Sequence, residues 1–465
     1  MRKNNILKIG TIVAFVLITI FILSSCSLFP TDSTAKYITK TSINQNGELI
    51  VEYSNGLTQN LGVVVGKDGV NGVDGKDGVN GKDGVDGKDG VDGKDGVDGK
   101  DGETIIQGGS NSTSSLSSVV ASCVQSTVIV QCGFDSKLTF ANEIDTYSAG
   151  SGVFYSVNKE AGSAFIITNY HVVYNKNSST ANGISDDIEI FLYGHLSEEQ
   201  AIKAKYVGGS MQYDLALLQV TDSEIIKNSE AKSAQIRSSD ELHVGETVFA
   251  IGNPKSDGFS ISSGILSVDS ETLEMTGADD KTKINIRVMR TDAAINAGNS
   301  GGGLFDENGK LIGIVNAKYV DSTIDNIGYS IPSKTVVAVI ENIMYYCLNT
   351  DVECVRRPML GITVQIKNPY SQYNKETGYV DLYENSTVVS VTEGSLADGA
   401  LLADDILRKI EISGSTSISV DVTRQYMIEE LINARAGDTV KVTVERNGGL
   451  VEFTFVITED CIINS

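Results

Sequence analysis

The pattern of apolar and polar positions changes several times along the chain. Near the N-terminus an unbroken apolar run extends from Ile9 to Leu23, which is short for a membrane-spanning helix. Within residues 26–65, short strand-like runs are separated by Asn-Gly pairs, a pattern that predicts a small β-rich spacer folded as a meander. The run Ile166–Val173 is apolar and rich in β-branched residues.

Further apolar patterns follow in the second half of the chain. Asp214 leads directly into Leu215–Val220, which predicts a hydrophobic strand. The alternation over Lys441–Glu445 predicts a strand with one exposed face. After Pro332, apolar residues recur at helical spacing and predict a helix; they are Val336, Val337, Ile340, Ile343 and Cys347. The chain is therefore predicted to be mainly β, with a few helices.

Residues 66–102 carry glycine at every third position, the period that a collagen triple helix requires at its crowded axis. No proline occurs in this repeat, so the chains would be less preorganised for a triple helix. A collagen-like stalk and a disordered polar spacer both remain open. Residues 103–117 are rich in Ser and Gly at their end and are predicted to be a linker.

Composition narrows the classes of function. The chain has 465 residues and a net charge of -23, which argues against nucleic-acid binding and allows several domains. The Asp-Gly repeats lack the helix-flanked signature of a calcium loop, and no cluster of metal ligands is evident. Neither a metal nor another cofactor is expected.

One glycine-rich segment, Ala297–Leu304, has the properties of a nucleophile turn. It presents Ser300 between glycines, which lack side chains and let backbone amides converge on one point. Acyl transfer needs such donors at the developing oxyanion. The sequence therefore predicts Ser300 as nucleophile, with the amides of Gly298 and Ser300 as the oxyanion hole.

The chain has only three histidines, so few residues can act as a general base. The histidines are His171, His195 and His243; the last two lie near glutamates and are predicted to be at the surface. His171 lies in an apolar run, and Asp214 is an acid that leads into a hydrophobic strand, where it needs a hydrogen-bonding partner. The order His171, Asp214, Ser300 is that of the chymotrypsin type of catalytic triad.

Six motifs near these residues resemble the HtrA (DegP/DegQ/DegS-like) family of trypsin-like serine proteases with a C-terminal PDZ domain. They are Gly150–Val153, Thr168–Val173, Asp214–Leu218, Val244–Pro254, Thr291–Asn296 and Ile327–Pro332. The resemblance implies a chymotrypsin-like double β-barrel over residues 118–350. It also implies His171 as general base, Asp214 as its orienter and Ser300 as nucleophile. Val315–Lys318 would line the substrate cleft as an edge strand, and the protein would be a homotrimer.

By the same resemblance, residues 355–461 would form an α/β PDZ domain. Met359, Leu360, Gly361 and Ile362 resemble its carboxylate-binding loop, which captures peptide C-termini as a strand is added alongside. A β-rich domain without a peptide site is the alternative.

The N-terminus predicts an exported protein. Basic residues precede the apolar run, and Leu23–Cys26 resembles a bacterial lipobox. Residues 1–25 would then be a lipoprotein signal peptide, and lipidated Cys26 would anchor the protein to the membrane on its extracytoplasmic side. An uncleaved signal anchor is the alternative.

The other cysteines form an odd set and cannot all pair within one chain. Proximity in sequence suggests Cys123 with Cys132 and Cys347 with Cys354, and free thiols are the alternative.

Together these patterns predict a serine endopeptidase that degrades unfolded or damaged extracytoplasmic proteins. Two other functions stay open, a conformationally inactive chaperone or peptide-binding protein and a structural surface adhesin.

Overall fold

The computed structural model describes residues 38–45, 48–53, 56–63, 116–135, 144–195, 197–253, 258–317, 327–348, 350 and 352–465. The chain divides into two compact units, residues 1–106 and 107–465. The predicted signal peptide, Cys26 and the glycine repeat of residues 66–102 lie outside the described residues. None of the described helices has both the length and the apolar character needed to cross a membrane.

The described part of the first unit is an antiparallel meander of three strands, in the region where the Asn-Gly pairs predict one. The strands are β1 (Ile38–Ile43), β2 (Glu48–Tyr53) and β3 (Thr58–Val63), hydrogen-bonded in that order. The side chain of Asn44 closes the first turn by donating to the Glu48 carboxylate at 2.7 Å and accepting the Glu48 amide at 3.0 Å.

The second unit begins with a closed β-barrel, which has the order β4-β5-β6-β9-β8-β7. Its strands are β4 (Thr127–Asp135), β5 (Ile144–Asn158), β6 (Ser163–Thr168), β7 (Asp187–Phe191), β8 (Ile202–Ser210) and β9 (Leu215–Val220). In β9, Leu218 fills the barrel core, whereas Leu217 faces a second core shared with the following barrel. Successive side chains of a strand point to opposite faces, so a strand buried on both faces reads as a continuous apolar run.

A second closed barrel follows, with the order β10-β11-β12-β15-β14-β13. Its strands are β10 (Thr247–Gly252), β11 (Ser260–Thr276), β12 (Lys283–Thr291), β13 (Gly303–Asp306), β14 (Leu311–Val315) and β15 (Gly328–Pro332). Leu304 packs inside this barrel, and its neighbour Phe305 packs in the core shared between the barrels.

Helices are few in the described residues. They are α1 (Leu116–Val124), α2 (Tyr170–Val173), α3 (Glu224–Lys227), α4 (Ser333–Tyr346) and four 3-10 helices, at Glu198–Gln200, Ser239–Glu241, Gln425–Asn433 and Glu459–Cys461. Helix α4 lies where the helical spacing predicts it. Its apolar face differs by one residue from the prediction, because Val339 is buried and Val337 is only half-buried. Val336, Val339, Ile340 and Ile343 then follow the i, i+3, i+4, i+7 spacing of one helix face.

The C-terminal part contains a six-stranded sheet, here called the C-terminal sheet, and a two-stranded one. The C-terminal sheet has the order β17-β18-β19-β21-β22, with β20 paired to β19, so β17 is an edge strand. Its strands are β17 (Ile362–Tyr373), β18 (Val380–Val391), β19 (Ile406–Ser413), β20 (Ser417–Asp421), β21 (Thr439–Arg446) and β22 (Gly449–Val456). β16 (Arg356–Pro358) pairs with β23 (Ile462–Asn464).

The five cysteines in the described part of the chain are free thiols, which settles the alternative left open by the sequence. Cys123 lies in the core between the barrels and Cys132 in the core of the first barrel, so the first suggested pair is separated by packing. The Cys347 thiol donates to the carbonyl of Cys354 at 3.4 Å instead of bonding its sulfur. Burial raises the pKa of Cys123 to about 11 and that of Cys347 to about 12, which keeps both protonated.

We expect a reducing agent to leave the thermal unfolding midpoint unchanged, because no disulfide joins the five cysteines of the described residues. Alkylation followed by mass spectrometry should modify Cys461 in the folded protein, and Cys123 and Cys132 only after denaturation. A midpoint that falls on reduction would contradict the assignment of free thiols.

Candidate active site

His171 and Asp214 form a direct hydrogen-bonded pair between two turns of the first barrel. His171 lies in α2, just after β6, and Asp214 ends the turn between β8 and β9. The imidazole Nδ1 is 2.7 Å from Asp214 Oδ2, and the backbone amide of His171 donates to Asp214 Oδ1 at 3.0 Å. Two contacts from one residue fix both the position and the ring orientation of the histidine.

The buried Asp214 carboxylate has a further donor that the sequence did not indicate. Asn316 Nδ2 donates to Oδ2 at 2.8 Å, while Asn169 Nδ2 donates to the Asp214 backbone carbonyl at 2.8 Å. Both asparagines are fully buried. A buried carboxylate is costly unless it accepts several hydrogen bonds, and Asn316 together with the two His171 contacts offsets that cost, while Asn169 holds the backbone. Asn316 falls within the segment predicted to line the substrate cleft, and a single amide after an apolar strand is not by itself a sign of this role.

Ser300 lies at the start of the turn that leads into β13. Its hydroxyl oxygen accepts the Ala317 amide at 3.2 Å, and its carbonyl accepts the Ser151 amide at 2.8 Å. The structure describes both His171 and Ser300 and places no hydrogen bond between them. In a substrate-free site, the contact between base and nucleophile is often long and tightens when substrate binds.

The turn around Ser300 has the geometry of an anion-binding site. Gly298 has φ +95° and Gly301 φ +84°, conformations that favour glycine. At Gly301 a Cβ atom would also collide with the carbonyl oxygen of Ser151. The amides of Gly298 and Ser300 have no acceptor among the described residues, so both can donate to a bound oxyanion.

Ser151 fastens this turn to the first barrel. Its hydroxyl donates to the Gly298 carbonyl at 2.8 Å and accepts the Asn253 amide at 2.9 Å. The side chain is fully buried. In the sequence Ser151 is only one member of a Gly-Ser-Gly motif, and its contacts span 147 residues to Gly298, so no local pattern could reveal them.

Comparison with known proteins agrees with this geometry. The family model described as "Trypsin-like peptidase domain" matches residues 150–314. "Serine protease Do-like HtrA" of Lactococcus lactis subsp. lactis (strain IL1403) is 33% identical over 321 residues, covering 65% of this chain and 68% of that protein. The chain belongs to the HtrA family of serine proteases.

Other HtrA proteins match over a similar span. "Serine protease Do-like HtrA" of Bacillus subtilis (strain 168) is 32% identical over 322 residues, which are 68% of this chain but only 64% of that relative. The chain thus spans just under two thirds of that relative's length. Among solved structures, "HtrA-type protease AlgW with tripeptide" is 25% identical, with a TM-score of 0.49, and covers 74% of this chain and 97% of that one.

The other two histidines of this HtrA family member are less exposed than the sequence predicts. His195 is half-buried, and its Nδ1 has no partner in the described part of the structure. The ring of His243 stacks on Tyr379 with 3.5 Å between ring centroids, and its Nδ1 lies 3.4 Å from Glu246 Oε1. The prediction of two surface histidines missed this stacking, because Tyr379 is 136 positions away in the sequence and reaches His243 only through the fold.

The segment Val315–Lys318 differs in part from the edge strand that the family resemblance implies. Val315 ends β14 and is hydrogen-bonded on both sides, to Gly302 and to β15. The amide of Asn316 also donates, to the Tyr329 carbonyl at 2.9 Å, so neither the Val315 nor the Asn316 amide is available to a peptide strand. Lys318 lies outside the described residues.

The predicted peptide-binding loop adjoins a cavity of about 700 Å³ between the C-terminal sheet and the second barrel. Leu360 is buried, and Gly361 has φ +82°. The cavity is lined on one side by Ile362, Val364 and Ile366 of β17 and by Ile428 and Leu431 of the 3-10 helix Gln425–Asn433, and on the other by residues of β11 and β12, including Glu271 and Asn285.

We expect Asn316→Ala to lower kcat by about tenfold or more with little change in KM, because a hydrogen bond to a charged group contributes about 1.5–3 kcal/mol. Steady-state kinetics on a peptide substrate would measure the effect. Asn308→Ala, at an exposed asparagine on the β13–β14 turn, is the matched control. An unchanged kcat for Asn316→Ala would show that the Asp214 carboxylate does not depend on this donor.

Proposed function

We propose that this HtrA protease cleaves unfolded or damaged extracytoplasmic proteins, with His171, Asp214 and Ser300 as its catalytic triad. The observation that carries the proposal is the 2.7 Å contact between His171 Nδ1 and Asp214 Oδ2, beside a turn whose Gly298 and Ser300 amides are free to donate. Orientation of the base and stabilisation of the oxyanion are the two requirements of acyl transfer by serine.

The reaction follows from this arrangement. Ser300 Oγ attacks the scissile carbonyl carbon while His171 Nε2 takes the hydroxyl proton, and the Gly298 and Ser300 amides stabilise the oxygen that becomes negative. Asp214 stabilises the resulting imidazolium through Nδ1. His171 then gives the proton to the leaving amine, which leaves an acyl ester on Ser300. Water then takes the place of the amine: His171 accepts a proton from the water as its oxygen attacks the ester carbonyl carbon. His171 returns that proton to Ser300 Oγ as the ester bond breaks and the second product leaves.

A conformationally inactive peptide-binding protein is the second candidate function, and one observation favours it. Ser300 Oγ accepts the Ala317 amide and makes no hydrogen bond to His171, so the nucleophile must turn before it can lose its proton. An enzyme that rests in this state would act as a binding protein until substrate or another ligand brings the two groups together.

We further propose that residues 355–461 form a PDZ domain that binds peptide C-termini. Three features support this proposal. β17 is an edge strand to which an extended peptide can be added, and the adjoining cavity is lined by apolar side chains of β17. The amides of Leu360 and Gly361 have no acceptor among the described residues and can bind a terminal carboxylate. Met359 and Ile362 flank them.

The arrangement of the N-terminal region is proposed from the sequence. Residues 1–25 would be removed as a lipoprotein signal peptide, and Cys26 would then anchor the enzyme to the membrane. The repeat at 66–102 would hold the protease away from the membrane, as a triple helix if the protein is a homotrimer.

The first test is hydrolysis of casein, a disordered protein, by the full chain and by Ser300→Ala. We expect activity to be lost in this variant and kept in Ser419→Ala, which removes an exposed hydroxyl of β20. A fluorophosphonate probe should label the parent protein and Ser419→Ala but not Ser300→Ala. Casein cleavage that survives Ser300→Ala would refute the triad, whereas inactivity of the parent would favour the binding protein.

Two substitutions at neighbouring positions of β17 test the proposed peptide binding. Val364 lines the cavity, whereas its neighbour Thr363 is exposed. Val364→Glu should weaken binding of an apolar peptide with a free C-terminus by about tenfold or more, because it replaces an apolar side chain of β17 that lines the cavity with a charged one. Thr363→Glu should bind normally. Fluorescence anisotropy would measure both, and equal affinity for the free and the amidated peptide would exclude carboxylate recognition.

A further inference from the structure

We infer that Tyr213 is a positioning residue, through which the packing of the C-terminal part holds Asp214 in place. The inference rests on the triad proposed above. Tyr213 directly precedes Asp214, and its side chain lines both a small cavity of about 20 Å³ and the larger cavity beside the C-terminal sheet. Its ring therefore lies at the junction of the two barrels with the C-terminal part, while the next residue holds His171.

The turn that carries Asp214 needs support from outside itself. Asp214 has φ +49°, a left-handed conformation that residues with a Cβ atom adopt infrequently, although Asn and Asp adopt it more often than the others. Its amide donates to the Met211 carbonyl at 3.3 Å, and the Tyr213 amide donates to Ser210 Oγ at 3.4 Å. Both are long hydrogen bonds, so the turn's own contacts hold this conformation weakly.

The side chain of Tyr213 supplies a stronger hold. It packs against the core that contains Val339 of α4 and Ile432 of the 3-10 helix Gln425–Asn433. Burial raises the pKa of Tyr213 to about 12, so the phenol stays neutral, and the nearby Arg357 guanidinium acts in the opposite direction. A large neutral ring packed against this core has less freedom to move, and it restricts the backbone of the next residue as well.

The 3-10 helix Gln425–Asn433, which packs near Tyr213, is itself bonded to its neighbours. Thr335 of α4 donates to the Glu429 carboxylate at 3.1 Å, and Asn342 donates to the Ile432 carbonyl at 3.1 Å. The buried guanidinium of Arg287, in the second barrel, stacks on the ring of Tyr426 with 3.4 Å to its centroid. The 3-10 helix that contacts Tyr213 is thus fixed to both α4 and the second barrel.

The other end of the same turn is held by the connection between α4 and β16. The Gly209 amide donates to the Glu353 carbonyl at 3.0 Å, and the Val355 amide donates to the Gly209 carbonyl at 3.3 Å. The Tyr206 hydroxyl also donates to the Glu353 carbonyl, at 3.2 Å. The turn is therefore contacted on both sides. The connection between α4 and β16 is hydrogen-bonded to β8, just before the turn, and the 3-10 helix Gln425–Asn433 packs near Tyr213, just before Asp214.

The test compares Tyr213→Ala with Tyr213→Phe, which keeps the ring. We expect Tyr213→Ala to lower kcat by about 10- to 100-fold, as small displacements of a catalytic group do, with KM changed less than about twofold. Tyr213→Phe should stay within about threefold of the parent. Titration with a fluorophosphonate would count the active sites, so loss through unfolding would be separated from slow chemistry. A Tyr213→Ala enzyme with normal kcat per active site would overturn the inference.

A variant in the C-terminal part tests the same inference from the other side. Ile432→Ala should lower kcat per active site although Ile432 is far from Ser300 in sequence, and its effect should not add to that of Tyr213→Ala. The acid limb of the pH profile of kcat/KM should move in both variants, because a displaced Asp214 no longer stabilises the His171 imidazolium. Additive effects with an unchanged pH profile would indicate a merely structural role and contradict the inference. If the Ser300→Ala protein still cleaves casein, the proposed triad is wrong, and a low kcat in the Tyr213 and Ile432 variants would then have another cause.

If Tyr213→Ala does not fold, Tyr213→Leu replaces it in the test, because leucine fills more of the space that the ring occupies. A normal kcat per active site in that variant would overturn a requirement for the ring, and a lowered kcat with a shifted pH profile would support it.

Discussion

The arrangement of the proposed active site depends on one buried charge, the carboxylate of Asp214. Water cannot solvate it, so its two oxygens must be satisfied by protein donors. Two donors, the backbone amide and the imidazole Nδ1, belong to His171. The third is the side chain of Asn316, which lies far from His171 in the sequence. The requirement to satisfy this carboxylate therefore brings β6, the β8–β9 turn and the end of β14 together. The same contacts orient the imidazole.

Two closed barrels provide the rigidity that this arrangement needs. In β9, alternate side chains fill the core of the first barrel and the core shared between the barrels, so the strand that follows Asp214 is held from both faces. Ser151 links the barrels beside the site, since it belongs to β5 and hydrogen-bonds both to Gly298 and to Asn253. A displacement of one barrel against the other would break these bonds, and the oxyanion turn would lose its shape.

The C-terminal part is more than an appended module. It shares the core between the barrels through Ile432, and it borders the cavity of about 700 Å³ together with β11 and β12. Charged contacts join the two sides as well, with Arg424 donating to Asp269 at 2.6 Å and Lys334 lying 2.8 Å from Glu430. A ligand in this cavity would touch both parts at once. Tyr213 lines the cavity, so such a ligand would contact the residue directly before Asp214.

The sequence by itself indicated the residues of the proposed triad and the elements that carry them. The glycine turn around Ser300, the apolar run with His171 and the strand after Asp214 are local patterns, and local patterns follow from backbone conformation and strand periodicity. The order of the three residues and the motifs around them also indicated the family, which the relatives establish. Only the tertiary structure decided the supporting contacts. Asn316, Ser151 and Tyr213 act across separations that no local pattern records, the Cys123 and Cys132 thiols are kept apart by two different cores, and Tyr379 covers His243. Such contacts depend on which strands close into which barrel, because packing and hydrogen bonding are decided by neighbours in space and not by neighbours in sequence.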